Sequence, residues 1–198
     1  MLHFGKGTGN FHISRVLVLV GSVRRGGNTD LLARAFADGA RTAHEVEILS
    51  VADLNVHPCL GCNGCYEMEG GRCIQQDDMS AVYEKLRWAD TLVLASPVYF
   101  YGISAQMKAI VDRLHAPMRN TLGIRRLGLI LVGAAELPDL FDPILLQYRM
   151  VLRFFGLEDI GTVLARGARD KGDVRSGNGL SQAYELGAGL QELRQEDV

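Results

Sequence analysis

Residues 16 to 29 read VLVLVGSVRRGGNT, and this stretch decides the fold. The apolar run VLVLV contains no polar residue, which is typical of a strand that is covered on both faces. The glycine-rich segment behind it leads directly into a helical pattern that begins at Asn28 or Thr29. A buried strand, a glycine-rich turn and a helix in this order predict the first unit of a parallel α/β sheet.

The alternation of strand and helix continues along the chain. Further strands are predicted at 44–48, 92–95, 127–132 and 160–165. Further helices are predicted to begin near Asp77, near Ser104 and at Asp142 as N-cap, with a last one extending from Leu180 to Leu193. Because the 44–48 run alternates polar and apolar residues, it fits a half-exposed edge strand. We therefore predict a doubly wound, three-layer α/β/α fold with five parallel strands in the flavodoxin-like order 2-1-3-4-5.

The composition is that of one ordinary domain. The chain has 198 residues, of which 47% are hydrophobic and 22% charged, with a formal net charge of −2. This apolar fraction excludes a disordered chain, and the balanced charge argues against nucleic acid as a partner. We expect an N-terminal arm at 1–14 and a single domain at 15–198. Neither a signal peptide nor a membrane span is recognisable, so we expect a cytoplasmic protein with no membrane partner.

The loop GSVRRGGNT at 21–29 has the features of a phosphate site. Glycines allow backbone N–H groups to turn inward, and the following helix adds the partial positive charge of its N-terminus. A Walker A loop needs lysine where Asn28 stands, and the dinucleotide fingerprint needs glycine where Val23 stands. A monophosphate held by hydroxyls, amides and an arginine fits better. The alternative is a glycine-rich turn without a ligand.

The third predicted strand ends in the aromatic segment SPVYFYG at 96–102. In an open parallel sheet, ligands bind outside the carboxyl ends of the strands, at the switch point between the first and third strands for this strand order. The aromatic segment and the phosphate loop therefore flank one crevice, which suits a planar heterocycle attached to a monophosphate. The alternative for the aromatic segment alone is a hydrophobic cluster under the third helix.

All the cysteines of the chain lie in one long connection, at 52–76, which we expect at the same edge of the sheet as this crevice. They are Cys59, Cys62, Cys65 and Cys73. Three closely spaced thiolates and a fourth after a short arc favour a [4Fe-4S] cluster over zinc, whose structural sites usually separate two C-x2-C pairs by a longer segment. Free thiols or a disulfide remain the alternatives.

The motifs GSVRRGGNT and SPVYFYGISAQMKAIVDR together resemble those of the flavodoxin-fold NAD(P)H-dependent FMN reductases, and the cysteine spacing resembles that of their iron-sulfur flavoprotein branch. The resemblance implies FMN as cofactor, NAD(P)H as co-substrate, and a homodimer or homotetramer. The implied FMN phosphate site consists of Ser22, Arg24, Asn28 and Thr29, with which we group Gly26. The implied flavin site consists of Pro97, Val98, Tyr99 and Phe100, with which we group Gly102, and of Ala134 and Glu136 on the other side of the ring.

Three functions follow as hypotheses. The first is an FMN-containing redox protein that passes electrons through a [4Fe-4S] cluster, with a ferredoxin-like donor and a small-molecule acceptor. The second is an NAD(P)H-dependent FMN or quinone reductase without a cluster. The third is a non-enzymatic FMN-binding or zinc-stabilised module. We nominate no acid–base residue, because a flavin carries the redox chemistry itself.

Overall fold

The computed structural model describes residues 11–194. Its strands are β1 (Phe11–His12), β2 (Arg15–Val20), β3 (Glu45–Ser50), β4 (Thr91–Tyr99), β5 (Gly102–Ile103), β6 (Arg126–Val132), β7 (Glu158–Ala165) and β8 (Leu193–Arg194). Its helices are α1 (Asn28–Ala40), α2 (Met79–Trp88), α3 (Ala105–Arg113), α4 (Asp142–Phe155) and α5 (Gly179–Ala188). All five predicted strands and all five predicted helices are therefore present.

The central sheet is parallel, with the order β3-β2-β4-β6-β7. Numbered along the chain, these five strands give 2-1-3-4-5, so the predicted strand order is confirmed. β3 forms one edge and is half-exposed, as its alternating sequence predicted. β5 pairs antiparallel with the end of β4 and extends it beyond the sheet. The carboxyl ends of β2, β4 and β6 consequently lie side by side.

Helices cover both faces of the sheet. α1 and α5 pack on one face, and α2, α3 and α4 pack on the other. The side chains of β2 alternate between these layers, with Leu17 and Leu19 facing α2 to α4 and Val16 and Val18 facing α1 and α5. Each such side chain, fully buried, stabilises the fold by about 1.5–3 kcal/mol. The predicted three-layer α/β/α architecture is confirmed.

α1 and α5 approach each other closely at two glycines. A Cβ atom added to Gly39 would lie 2.1 Å from the carbonyl oxygen of Tyr184, and one added to Gly187 would lie 2.1 Å from that of Phe36. Real Cβ atoms do not approach backbone oxygens so closely, so only glycine permits this contact. The contact fixes α5 against α1, whose N-terminus forms part of the site described below.

Two predicted helix boundaries are wrong. Asp142 is the first helical residue of α4 and not its N-cap, which is Phe141. The last helix ends at Ala188, where the following Gly189 acts as C-cap, and Leu193 lies in β8 instead. β8 pairs with β1, so the end of the predicted 1–14 arm is part of a small antiparallel ribbon.

Residues 1–10 of the predicted arm lie outside the described residues. Within 11–194, no helix has both the length and the hydropathy that crossing a membrane requires.

Candidate functional site

The loop after β2 forms a backbone cradle at the N-terminus of α1. Gly26 has φ +65°, a left-handed conformation that favours glycine, and a Cβ atom on Gly27 would lie 2.9 Å from the carbonyl oxygen of Arg24. The N-cap of α1 is Gly27, and no side chain caps this end of the helix within the described chain. The first amides of α1 are therefore free of a side-chain cap and can bind an anion.

Three of the predicted phosphate ligands lie in or next to this cradle. Ser22 is buried and its hydroxyl oxygen accepts a hydrogen bond from the backbone N–H of Arg24 at 3.1 Å. The hydroxyl hydrogen can then point to a ligand. The Arg24 side chain is exposed at the rim, and Thr29 is buried in the first turn of α1.

The side chain of Asn28 is already engaged with a different loop. Its Nδ2 donates to the carbonyl oxygens of Ala168 at 3.3 Å and Asp170 at 2.7 Å. Its Oδ1 accepts from the backbone N–H of Gly172 at 2.8 Å. Asn28 thus ties the segment that follows β7 to the cradle, and only its backbone N–H is left to face an anion.

The segment 166–172, RGARDKG, is a part of the site that the sequence analysis missed. The Nζ of Lys171 lies 3.3 Å from the position that a Cβ atom on Gly26 would take. The ammonium group of Lys171 therefore lies next to the turn of the cradle at Gly26. The signal for it was present, because the carboxyl end of β7 must join the same edge of a parallel sheet as that of β2.

One carboxylate lies close to the cradle and is neutralised locally. Asp30 accepts from the backbone N–H of Gly26 at 2.8 Å and pairs with Arg34 at 3.1 Å. A carboxylate in the first turn also interacts favourably with the helix dipole. Asp30 therefore holds the turn in shape, and Arg34 offsets its charge toward an anion.

Beside the cradle, β4 and β5 form a hairpin with an unusual turn. Its two turn residues, Phe100 and Tyr101, have φ values of +49° and +64°. Turns of this kind normally carry Asn-Gly, because a left-handed backbone costs other residues energy. Phe100 is nevertheless 98% exposed, and its ring meets that of Tyr101 edge to face at 5.9 Å. Strained, exposed aromatic residues are typical of a binding site and not of a packing cluster.

The hairpin is fixed next to the cradle through Ser96 and Ser104. Ser96 Oγ donates to the carbonyl oxygen of Pro97 at 2.9 Å and accepts from the backbone N–H of Ser104 at 3.0 Å. Ser104 in turn caps α3, and its hydroxyl would be 3.1 Å from a Cβ atom on Gly21.

The predicted flavin residues differ in how far they are buried. Pro97 is buried, Val98 and Gly102 are half-buried, and Tyr99 and Phe100 are exposed.

The loop after β6 also reaches this edge. The backbone N–H of Gly167 donates to the carbonyl oxygen of Ala135 at 3.2 Å, and that of Ala168 donates to Gly133 at 3.0 Å. The exposed residues Ala134 and Glu136 thus lie beside the segment that Asn28 holds. The structure brings the cradle, the hairpin and the 133–136 loop to one edge of the sheet.

The cysteine loop begins at this edge and also reaches the far end of α3. It starts after β3, where Asp53 pairs with Arg25, and it ends at the start of α2. The thiols line a cavity of about 20 Å³ together with Arg113, His115 and Ala116 at the C-terminal end of α3. The N-terminal end of α3 lies at the cradle, and the helix has nine residues, so about 13 Å of helix separates its two ends.

A buried ion pair anchors the cysteine loop at this position. Arg113 Nη1 donates to Asp77 Oδ2 at 2.5 Å and to the carbonyl oxygen of His57 at 3.3 Å, and both charged side chains are at most 2% exposed. Burial alone raises the pKa of Asp77, but hydrogen bonds from Arg113 and from the backbone N–H groups of His57 and Met79 outweigh it, so the pKa lies below its usual value. The loop therefore follows α3 because Asp77 and Arg113 neutralise each other there.

The four cysteines form no disulfide with one another, and they face a common space. Burial raises the pKa of the Cys65 thiol, and the charges of the other three cysteines raise it further. A hydrogen bond with its own backbone lowers this pKa, but by less than burial raises it. Two donors approach sulfurs: the backbone N–H of Gly61 is 3.4 Å from Cys59 Sγ, and Gln75 Nε2 is 4.0 Å from Cys73 Sγ. Within residues 11–194, no three His, Cys, Asp or Glu side chains are arranged to hold a single metal ion.

Known proteins resemble this chain in sequence and in fold. The sequence profile of the NADPH-dependent FMN reductases matches residues 14–138. An iron-sulfur flavoprotein of Methanocaldococcus jannaschii is 39% identical over 128 residues, 62% of this chain and 63% of that protein. One of Archaeoglobus fulgidus is 30% identical over 176 residues, 88% of this chain and 77% of that protein. The solved NAD(P)H:quinone oxidoreductase from Methanothermobacter marburgensis superposes with TM-score 0.73 at 17% identity, covering 90% and 97% of the chains, which concerns the fold alone.

The region matched by the family profile contains the cradle, the hairpin and the 133–136 loop. These are the three elements that the fold brings to one edge of the sheet. The cradle also fits a flavin mononucleotide phosphate, because its glycines leave room for an anion and Lys171 supplies a positive charge. The profile covers well over half of the chain, and the chain therefore belongs to the NADPH-dependent FMN reductase family and is an FMN-dependent oxidoreductase.

Proposed function

We propose that this oxidoreductase holds two redox groups, FMN at the carboxyl edge of the sheet and a [4Fe-4S] cluster at the cysteine cavity. The observation that carries the proposal is the convergence of Cys59, Cys62, Cys65 and Cys73 on one cavity beside a buried arginine. The names of the relatives from M. jannaschii and A. fulgidus support it, since both are iron-sulfur flavoproteins.

Each site is assigned to residues by the contacts described above. For FMN, the first amides of α1, the Ser22 hydroxyl and the Lys171 ammonium would bind the phosphate, and Tyr99 and Phe100 would contact the ring. When bound, FMN supplies the step between two-electron and one-electron chemistry. The protein's part is to orient the ring against the aromatic hairpin and to hold the phosphate at the helix N-terminus.

The donor set favours a cluster over zinc. A zinc ion needs its four thiolates at about 2.3 Å from one point, and the described chain contains no site arranged for a single ion. A cluster of several irons and sulfides is larger and separates its cysteines more widely. The cavity of about 20 Å³ would have to widen to hold it. The loop has room to do so, because Cys62 is exposed and nothing lies within 4 Å of a Cβ atom on Gly61 or Gly70.

The placement of the two sites also suggests how they work together. α3 begins at the FMN site and ends at the cysteine cavity, so electrons entering at the exposed cysteine loop are within one helix length of the flavin. We further propose that the protein is a homodimer or homotetramer, takes electrons from a ferredoxin-like protein and passes them to a small-molecule acceptor. NAD(P)H is the other donor to be tested.

The test is chemical analysis of protein purified without oxygen. We expect about four irons, about four acid-labile sulfides and one FMN per chain. Replacing the buried Cys65 by serine should remove the iron and leave FMN in place, because the two sites are at opposite ends of α3. The control is Tyr66→Ser, which changes the neighbouring exposed side chain and should keep the iron.

Other outcomes decide between the remaining functions. FMN without iron, together with rapid bleaching by NADPH, would replace the proposal with a cluster-free NAD(P)H-dependent reductase. One zinc per chain would identify a zinc-stabilised loop. Iron retained in Cys65→Ser would show that the thiol of Cys65 is not a ligand.

A further inference from the structure

Arg113 is the one charged side chain that both lines the cysteine cavity and is almost fully buried. It is 2% exposed and lies at the last position of α3. A buried guanidinium is costly unless its charge and its N–H groups are matched. The hydrogen-bond partners of Arg113 therefore indicate the function of its side chain.

Only part of the guanidinium is matched within the described chain. Nη1 donates to Asp77 and to the carbonyl oxygen of His57. Nε is buried and has no hydrogen-bond partner. An unmatched buried donor costs about 1–3 kcal/mol, so a further acceptor at the cavity is needed to offset it. The cavity around Arg113 is lined by the four cysteines together with Leu60, Asn63, Gln75, His115 and Ala116, so the sulfurs are the largest set of one kind of acceptor there.

The position of Arg113 is fixed by its neighbours and not by the cysteines. Asp77, which holds Nη1, itself accepts from the backbone N–H groups of His57 at 2.9 Å and Met79 at 3.2 Å. The hydroxyl of Tyr83 donates to the carbonyl oxygen of Arg113 at 2.8 Å. A charge anchored on two sides keeps its place when the electron count of a nearby group changes.

We infer that Arg113 sets the reduction potential of the cluster, acting as a fixed positive charge and as an N–H donor to its sulfurs. The inference rests on the proposed cluster at Cys59, Cys62, Cys65 and Cys73. Adding an electron makes a thiolate-bound cluster more negative, and a nearby positive charge stabilises that form more than the oxidised one. Asp77 acts in the opposite direction, because its carboxylate partly cancels the arginine charge.

The two partners of the ion pair therefore give a test with opposite signs. Arg113→Gln removes the positive charge and should lower the cluster's midpoint potential. We expect the ratio of reduced to oxidised cluster at a fixed potential to fall about tenfold, which is about 59 mV for one electron. Asp77→Asn removes the compensating negative charge, keeps a side-chain oxygen for Arg113, and should raise the potential. Arg113→Lys keeps the charge and should lie between Arg113→Gln and the wild type.

The control is Arg126→Gln. Arg126 is also 2% exposed, but its contacts are Ser14, Asp90, Thr91 and the carbonyl oxygen of Gln191, all outside the cysteine loop. The Arg126→Gln variant should be less stable than the wild type and should have an unchanged midpoint potential of the cluster. The measurement is a redox titration of the anaerobic holoprotein, followed by the electron paramagnetic resonance signal of the reduced cluster, with iron counted in every sample.

The outcomes test the presence of the cluster and the role of Arg113 separately. Wild-type protein without iron would overturn the proposed cluster itself. Iron present with potentials unchanged in both Arg113→Gln and Asp77→Asn, or shifted in the same direction, would overturn the role of Arg113 and leave the cluster standing. If Arg113→Gln binds no iron, the Asp77→Asn shift decides, since a rise supports the inference and a fall or no change contradicts it.

Discussion

Replacing the turn residues of the aromatic hairpin should make the protein more stable and a weaker binder of FMN. The substitution is Phe100→Asn together with Tyr101→Gly, which installs the usual residues for a turn with two positive φ values. Both native residues have such values, +49° and +64°. Phe100 makes little packing contact that the change would lose, because it is 98% exposed.

The expected gain can be worked out from the backbone. A left-handed conformation costs an ordinary residue about 1–2 kcal/mol, so two residues carry about 2–4 kcal/mol of strain. The new glycine offsets about 0.5–1 kcal/mol of the gain through its greater freedom in the unfolded chain. The net increase in the free energy of unfolding is about 2 kcal/mol, or a rise in Tm of about 4–8 °C for a chain of this size.

The assay compares thermal unfolding of FMN-free wild type and variant, and then measures FMN affinity by quenching of flavin fluorescence. Losing the contact of the Phe100 ring with the flavin should weaken FMN binding about tenfold, since stacking on a planar base contributes about 1–3 kcal/mol. A matched control is Phe154→Gln, which removes an exposed aromatic residue from the regular helix α4 and should bring no such rise in Tm. A variant that binds FMN normally, or whose Tm does not rise, would refute the reasoning that strain is maintained there for flavin binding.

Three further changes test other parts of the structure. Lys171→Gln should raise the Kd for FMN about tenfold in a fluorescence titration, because a charge-assisted hydrogen bond is worth about 1.5–3 kcal/mol, and an unchanged Kd would remove this residue from the site. Gly39→Ala should destabilise the protein by at least 1–3 kcal/mol, roughly the usual cost of overpacking, in urea unfolding, whereas Gly177→Ala, with nothing within 4 Å, should stay within about 0.5 kcal/mol of the wild type. The pKa of Asp77 is lowered in the fold, so its stabilising effect is complete above the unfolded value of about 3.9 and is lost as the pH falls through the folded value. Urea unfolding between about pH 5 and pH 3 should therefore show a steeper loss of stability for the wild type than for Asp77→Asn, and parallel curves would contradict this.

The sheet was predictable because its signals are local. The run at 16–20 contains only apolar residues, and the glycine-rich loop behind it leads directly into a helical pattern. The strand order then followed from general rules of α/β connection. Helix ends were less predictable, since Phe141 replaces the expected Asp142 cap and Gly189 stops the last helix early.

The site was predictable where it belongs to a single segment and not where it depends on tertiary contacts. The glycine-rich loop and the aromatic segment could be located from their own sequences, whereas the pairing of β5 with β4 was not predicted. The engagement of Asn28 by Ala168 and Asp170 could not, because it joins residues 140 or more positions apart. The contact between the cysteine loop and the end of α3 was equally hidden, since the pair of Asp77 and Arg113 joins residues 36 positions apart.

A chain that carries both FMN and an iron-sulfur cluster accepts more electrons than a chain that carries FMN alone. A reductive titration of the anaerobic protein, followed by its visible spectrum, gives the number of electrons accepted per chain. We predict about three electrons per chain, two accepted by the flavin and one by the cluster. A titration that ends at about two electrons, with only flavin bleaching, would contradict it.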